Sequence, residues 1–131
     1  MLNVLHDLLQ TQALAIPTKN AVGVNGNWLS YQTLSANCMY MSQALLHIGI
    51  SSQQRVAVYL PKTIEAIVSY FSTSIAGGIF VPINPILKAP QVSHILSNCS
   101  ATLLITNAVR LNQLPIDTLN ELANIIIIDN K

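Results

Sequence analysis

Residues 74–85 read SIAGGIFVPINP, and the interpretation of this segment decides the predicted fold. It closes an uncharged stretch from Ala66 to Ile83, which is about 18 residues long and therefore raises the question of a membrane-spanning helix. Three interpretations compete: a membrane span, a phosphate-binding loop, and the joint between a helix and a strand of a soluble α/β sheet.

The residues before the Gly-Gly pair predict a helix with two different faces over 63–76. One face is apolar and the opposite face is polar: Ile64, Ile67, Val68, Phe71 and Ile75 against Glu65, Ser69, Ser72 and Thr73. A spanning helix is apolar all round, and Gly77, Gly78 and Pro82 would interrupt the rest of the span. The pattern favours a soluble helix.

The hydroxyl groups and glycines around residues 72–78 superficially resemble a phosphate-binding loop. Such loops follow a strand and place backbone N–H groups at a helix N-terminus, where the dipole favours an anion. Here the glycines follow a helix, where the dipole is negative, and no lysine comes close behind. We therefore predict a helix C-cap that lets the chain pack closely on the sheet.

From residue 55 onward, apolar runs alternate with helical patterns. Strands are predicted at 55–60, 79–83, 102–106 and 125–128, and helices at 63–76, 90–98 and, more weakly, 118–122. This alternation predicts an α/β fold with a mostly parallel sheet and crossover helices. We expect 79–83 to be an inner strand and 125–128, four isoleucines, to be too apolar to face water on either side.

The first fifty residues predict a helix, a hairpin and a long helix. Helical spacing covers 3–13, and Asn25-Gly26 between two short apolar runs predicts a type I′ turn. Ser30 is suited to cap the long helix, which Gly49 closes. The apolar face of that helix comprises Leu34, Cys38, Met41, Leu45 and Ile48.

Composition narrows the class of protein. Only 8% of the residues are charged and 51% are hydrophobic, which excludes disorder and leads us to expect that a partner or further polypeptide covers part of the surface. The six basic residues are scattered, so nucleic acid is not an expected partner. Two cysteines without metal-like spacing and an N-terminus without a signal-peptide pattern predict a cytoplasmic setting.

No residue pattern predicts an active site. His6, His47 and His94 lack a carboxylate or cysteine at catalytic or metal-binding spacing, and no pair of carboxylates suggests acid–base chemistry. We therefore assign no catalytic, cofactor-binding or metal-binding residue within the chain.

Three stretches in order resemble the beginning of the adenylate-forming enzymes, which comprise acyl-CoA ligases, luciferases and peptide-synthetase adenylation domains. These are WLSYQTL (28–34), GISSQQRVAVYL (49–60) and AGGIFVPINP (76–85), within a resemblance that runs from about residue 2 to 129. Thr33 stands where the family commonly has Glu, and Gln54 where it commonly has Asp. The first departure removes half of a capping box with Ser30.

Asn84 makes the segment more similar to acyl-CoA ligases than to amino-acid-activating domains, which usually have Asp there. The amino-acid sequence at residues 59–66, 84–92 and 94–96 is similar to that of a narrower group, the acyl-CoA ligases associated with bacterial exosortase A systems.

The resemblance implies that residues 1–131 are the N-terminal subdomain of the adenylate-forming fold, with 1–50 preceding βαβ-type units in 51–131. The whole enzyme would use ATP, Mg²⁺ and CoA to convert a carboxylic acid into its CoA thioester. The family's phosphate loop, ribose-binding Asp and catalytic Lys lie downstream of Lys131, so this part is expected to be an inactive scaffold with no bound cofactor. Its expected partner is the remainder of its own chain.

Two alternatives remain: a stand-alone α/β binding module that has lost catalysis, and the start of an amino-acid-activating domain. A symmetric homodimer through the surface that the remaining enzyme would cover is also a possible state. Neither nucleic acid nor a membrane span is expected.

Overall fold

The computed structural model describes residues 3–129, in which helices and strands alternate after an N-terminal hairpin. The elements in chain order are α1 (Leu5–Ala15), β1 (Asn20–Val24), β2 (Asn27–Ser30), α2 (Tyr31–His47), β3 (Arg55–Tyr59), α3 (Ile64–Ile75), β4 (Ile79–Pro82), α4 (Ala89–Asn98), β5 (Leu103–Thr106), α5 (Ala108–Leu111), α6 (Ile116–Asn120) and β6 (Asn124–Ile127).

Four of the strands form one parallel sheet in the order β4-β3-β5-β6, and β1 and β2 form a separate antiparallel hairpin. Val56 of β3 pairs with Phe80 of β4 and with Leu103 of β5, which in turn pairs with Asn124 of β6. The predicted α/β fold with a parallel sheet is confirmed.

Helices cover both faces of this sheet. On one face, Val56, Val58, Leu103 and Ile105 pack in a cluster with α2 and α3. On the other face, Ala57, Tyr59 and Leu104 pack in a cluster with α4. Burial on both faces explains why β3 and β5 read as continuous apolar runs.

The hairpin and the start of α2 form as their residue types predict. Asn25 and Gly26 both have positive φ, 52° and 82°, as a type I′ turn requires. Ser30 caps α2, because its Oγ accepts a hydrogen bond from the backbone N–H of Thr33 at 3.2 Å. The Thr33 hydroxyl instead accepts a hydrogen bond from the Ser30 hydroxyl at 3.1 Å.

The joint at residues 76–79 is the close helix-to-strand connection that the sequence predicts. Gly77 has a φ of +84°, which favours glycine. A Cβ atom on Gly78 would lie 3.0 Å from Cγ2 of Thr73 and 3.2 Å from the carbonyl oxygen of Gln54. A side chain at position 78 would therefore require these neighbours to move by a few tenths of an ångström, and glycine lets β4 start close to the end of α3 without that shift.

Two strand positions differ from the sequence-based expectation. Residues 79–83 do not form an inner strand, because β4 lies at the edge of the sheet with Ile79 47% exposed. The expectation that residues 125–128 avoid water on both faces is also wrong, since Ile127 is 46% exposed in β6, at the opposite edge of the described sheet. A short apolar run indicates a strand but does not reveal whether a neighbour lies on each side.

Helix α3 also departs from the usual arrangement of an amphipathic helix. Its hydroxyl-bearing residues Ser69, Ser72 and Thr73 are buried, and Glu65 is its only exposed residue. It packs against α1, α2, the hairpin strand β1 and the sheet, so no broad face remains for solvent. Among residues 3–129, no helix is long and apolar enough to cross a membrane.

The remaining differences concern helix boundaries. Helix α1 extends to Ala15, α4 begins at Ala89 with Pro90 as its second residue, and α6 lies two residues earlier than predicted. The short α5 was not predicted, because four residues are too few to show a helical period.

Candidate functional site

The carboxyl ends of the parallel strands meet at one edge of the sheet. The chain passes from β3 to its neighbour β4 on one side of the sheet, and later from β5 to its neighbour β6 on the other side. The direction in which strands are added therefore reverses between β3 and β5. In open α/β sheets, ligands bind in the crevice at the carboxyl ends of the strands beside such a reversal. This edge, formed by Tyr59, Pro82 and Thr106, is therefore the candidate site.

The first cavity at this edge is an apolar groove of about 770 Å³ beside the ends of β3 and β4. Its lining includes Leu60, Ile67, Tyr70 and Ile83, together with the polar side chains Lys62, Thr63 and Asn84. A cavity of this size and character can receive an apolar group. We call it the apolar groove.

A second cavity of about 470 Å³ shares Pro85 and Ile86 with the apolar groove. Two cationic side chains, Lys88 and Arg110, line it with Tyr59 and Gln113, and its lining contains no carboxylate among the described residues. We call this cavity the cationic pocket, and its charge suits an anionic group.

Hydrogen bonds and an aromatic ring hold Arg110 in the cationic pocket. The Asn107 Oδ1 accepts a hydrogen bond from the backbone N–H of Arg110 at 2.9 Å and so starts α5. The guanidinium carbon lies 5.5 Å from the centre of the Tyr59 ring, and the Tyr59 hydroxyl donates a hydrogen bond to the Leu87 carbonyl at 2.9 Å. The buried Nε of Arg110 has no hydrogen-bond partner within residues 3–129.

Asn84 shapes the turn between β4 and α4. Its Oδ1 accepts a hydrogen bond from the backbone N–H of Ile86 at 3.1 Å, and its carbonyl accepts one from the N–H of Leu87. An aspartate could accept the same bond, so the geometry of this turn does not separate the two residue types.

The histidines and cysteines lie apart from both cavities. His6 Nδ1 is 2.9 Å from the Ser74 hydroxyl, which joins α1 to α3. Cys99 has its sulfur 3.7 Å from the Leu96 carbonyl oxygen. Within the described residues, no three His, Cys, Asp or Glu side chains come together as a possible metal site.

Lys88 and Arg110 line the candidate site, although no sequence pattern singles them out. They are distant in sequence and belong to no short motif, so their charges were counted only as scattered. Each of them follows the carboxyl end of a strand of the parallel sheet, and that position is the signal that could have indicated a shared site.

The profile of one enzyme family, described as the AMP-binding enzyme family, matches residues 9–131. The chain belongs to this family. Curated relatives include gramicidin S synthase 2 of Brevibacillus brevis, 31% identical over 113 residues, and syringomycin synthase SyrB1 of Pseudomonas syringae pv. syringae, 30% identical over 107 residues. These alignments cover 86% and 82% of the chain but only 2% and 17% of the relatives.

Solved structures of other proteins share the fold of the chain. The anthranilate CoA ligase AuaEII in complex with anthranoyl-AMP matches with a TM-score of 0.90 at 24% identity, covering 96% of this chain and 25% of that one. The inhibitor-bound N-terminal domain of FACL13 from Mycobacterium tuberculosis matches with a TM-score of 0.87 at 24% identity, covering 98% and 34%. The AMP-binding fold is thereby confirmed over a part of the length of these relatives.

Proposed function

We propose that residues 1–131 are the N-terminal subdomain of an AMP-forming acyl-CoA ligase that works in the cytoplasm alongside an exosortase A system. The family match over residues 9–131 carries this proposal, and the resemblance of the segment around Asn84 favours the acyl-CoA branch. The carboxylate of the substrate attacks the α-phosphorus of ATP and releases pyrophosphate. The thiol of CoA then displaces AMP from the acyl carbon.

Within this enzyme, the chain would act as a scaffold with one electrostatic role. Every phosphate-bearing reactant is anionic, and Lys88 and Arg110 line a pocket that lacks a carboxylate in the described part of the chain. We assign the cationic pocket to an anionic group of ATP or CoA. The resemblance to adenylate-forming enzymes supports assigning Mg²⁺ binding and the groups that perform the reaction to further polypeptide of the same enzyme.

Amino-acid activation is the second candidate function. The curated relatives that support it are named as synthases of gramicidin S and of syringomycin rather than as CoA ligases. The turn at Asn84 is compatible with both functions.

Sequencing of the gene beyond Lys131 and assay of the protein that it encodes test the proposal. The coding sequence beyond Lys131 should continue into a phosphate loop, and the encoded enzyme should show ATP–pyrophosphate exchange that depends on a carboxylic acid and should form a CoA thioester. The 131-residue chain alone serves as the control and should show no exchange. Exchange driven by amino acids without thioester formation would favour the second candidate, and exchange by the short chain would contradict the scaffold role.

The cationic pocket can be tested on the 131-residue chain itself. Titration with inorganic pyrophosphate should shift the NMR signals of residues around Arg110, and Arg110→Gln or Lys88→Gln should weaken this binding by about threefold to tenfold, because each variant removes one of two cations. Lys19→Gln is the matched control, since Lys19 is exposed and lines neither cavity. Equal weakening by all three variants would show that pyrophosphate responds only to net charge.

A further inference from the structure

Tyr59 contacts both of the elements that carry the cations of the cationic pocket, although it carries no charge itself. It ends β3, and only 2% of its surface is exposed. Its hydroxyl donates a hydrogen bond at 2.9 Å to the carbonyl of Leu87, the residue before Lys88. Over its ring, the guanidinium carbon of Arg110 lies 5.5 Å from the ring centre. One buried side chain therefore joins the turn before α4 to α5.

The sheet and its helices fix Tyr59 in one position. Tyr59 pairs in register with Thr106 of β5, and the Thr106 hydroxyl donates a hydrogen bond to the Tyr59 carbonyl at 2.8 Å. The Tyr59 side chain packs in the cluster of Ala57, Val92 and Leu104 between the sheet and α4. Because side chains in a densely packed core have little room to change rotamer, the ring and the hydroxyl keep one place relative to the sheet.

The position of the Arg110 side chain depends on the Tyr59 ring. The buried Nε of Arg110 has no hydrogen-bond partner within residues 3–129, and no carboxylate among the described residues lines the cationic pocket. The face of an aromatic ring attracts a guanidinium, and more strongly where water is excluded. The ring therefore favours the guanidinium at this place without neutralising its charge, so the charge remains available to an anion.

The position of Lys88 depends on the Tyr59 hydroxyl in a similar way. Lys88 precedes α4, and its backbone N–H donates a hydrogen bond to the Gln91 side chain at 3.0 Å. The bond from Tyr59 to the Leu87 carbonyl fixes the residue directly before it. A cation on a fixed backbone loses less conformational freedom when an anion binds, so binding is stronger than it is to a mobile cation.

We propose that Tyr59 is a positioning residue, which holds Lys88 and Arg110 at the spacing at which both bind one anionic group. The ring acts through Arg110, and the hydroxyl acts through Lys88. Tyr59 does not donate to the anion itself, since its hydroxyl is bonded to the Leu87 carbonyl. This inference rests on the proposed function, which assigns the cationic pocket to an anionic group of ATP or CoA.

Titration of the 131-residue chain with inorganic pyrophosphate, followed by NMR, tests the two contacts of Tyr59. Tyr59→Phe keeps the ring and removes the hydroxyl, and it should weaken binding by about twofold to fivefold. Tyr59→Leu removes the ring as well and should weaken binding by about fivefold to twentyfold. Tyr70→Phe is the matched control, because Tyr70 lines the apolar groove instead, and it should leave binding unchanged.

Double-mutant cycles separate positioning from a general loss of structure. The effect of Tyr59→Phe should disappear in the Lys88→Gln background and persist in the Arg110→Gln background, because the hydroxyl acts through Lys88. The additional effect of Tyr59→Leu should disappear in the Arg110→Gln background. Tyr59→Phe changes the shape of the buried side chain little, so its cycle remains a test even where Tyr59→Leu does not fold.

The outcomes distinguish this inference from the proposed function. Wild-type binding of pyrophosphate that Tyr59→Phe leaves unchanged, or weakens by the same factor in every background, would overturn the role of Tyr59 alone. Absence of pyrophosphate binding by the wild-type chain would overturn both that role and the assignment of the cationic pocket. The acyl-CoA activity itself is judged by thioester formation, which these titrations do not measure.

Discussion

Helices α3 and α4 both connect parallel strands of the sheet, yet they bury opposite kinds of side chain. In α4, the buried residues are Val92 and Leu96, and the polar residues His94 and Ser97 are exposed. In α3, serine and threonine side chains occupy the fully buried positions, and the larger apolar side chains are only partly buried. The two helices therefore differ in which of their faces other elements cover, and not in how regularly apolar and polar residues alternate along them.

The buried hydroxyl groups of α3 are stable because each finds an acceptor within its own helix. Ser69 Oγ donates to the Glu65 carbonyl at 2.7 Å and Thr73 Oγ1 donates to the Ser69 carbonyl at 2.8 Å, while Ser72 donates to the carbonyl of Val68. No partner on α2 is required, and the small side chains let α2 and α3 approach closely. The apolar side of α3, including Ile67 and Phe71, packs on the cluster of Leu9, Leu34 and Cys38.

Of the substitutions that test this contrast, enlarging a buried serine of α3 should have the largest effect on stability. Ser72→Leu should lower the free energy of unfolding by about 2 kcal/mol, because a fully buried position against α2 has no room for a larger side chain. Urea unfolding followed by circular dichroism measures the change.

Ser97→Leu in α4 is the matched control for Ser72→Leu. Ser97 is exposed, so the same substitution should change stability by less than about 0.5 kcal/mol. Equal destabilisation by the two variants would show that α3 is not packed more tightly on its hydroxyl side than α4 is on its polar side.

A smaller effect on stability should come from ionisation of the Cys38 thiol, which lies between α2 and α3. Burial raises the pKa of the Cys38 thiol from 9.0 to about 11, and a hydrogen bond with Ser72 offsets part of this rise. Because the unfolded thiol ionises at lower pH than the folded one, its contribution to stability is complete below pH 9 and decreases as the pH approaches 11. Between pH 8 and pH 10 the loss should be about 1 kcal/mol.

Comparison with Cys38→Ala isolates this effect. Burial also raises the pKa of Tyr70, but Tyr70 is present in both proteins, so its contribution cancels in the difference. Urea unfolding at pH 8 and pH 10 should show a pH-dependent loss that is about 1 kcal/mol larger for the wild type than for Cys38→Ala. Parallel pH dependence of the two proteins would contradict burial of an ionisable thiol at this interface.

Local patterns predicted most of the elements, because their signals lie within a few residues. The Asn25-Gly26 turn and the Gly77-Gly78 joint depend on backbone conformations that particular residue types favour, and the Ser30 cap depends on a side-chain oxygen that accepts a hydrogen bond; all three are confirmed. Strand order was not predictable in this way, because β4 and β6 read as apolar runs and only their neighbours make them edges.

The candidate site was not predictable from residue spacing. Lys88 follows β4 and Arg110 follows β5, and the crossing of α4 from β4 to β5 brings both into one cavity with Tyr59. The positions of charged residues along the sequence do not indicate which strands become neighbours in the sheet.

The class of fold, the turns and the caps follow from short stretches of residues, because hydrophobic period and backbone preference act locally. The tertiary structure alone decided which face of α3 is buried, which strands form the edges, and which cations share a cavity. Those outcomes depend on contacts between segments distant along the chain, and the free energy of such contacts is set by the whole packing arrangement rather than by any one stretch of residues.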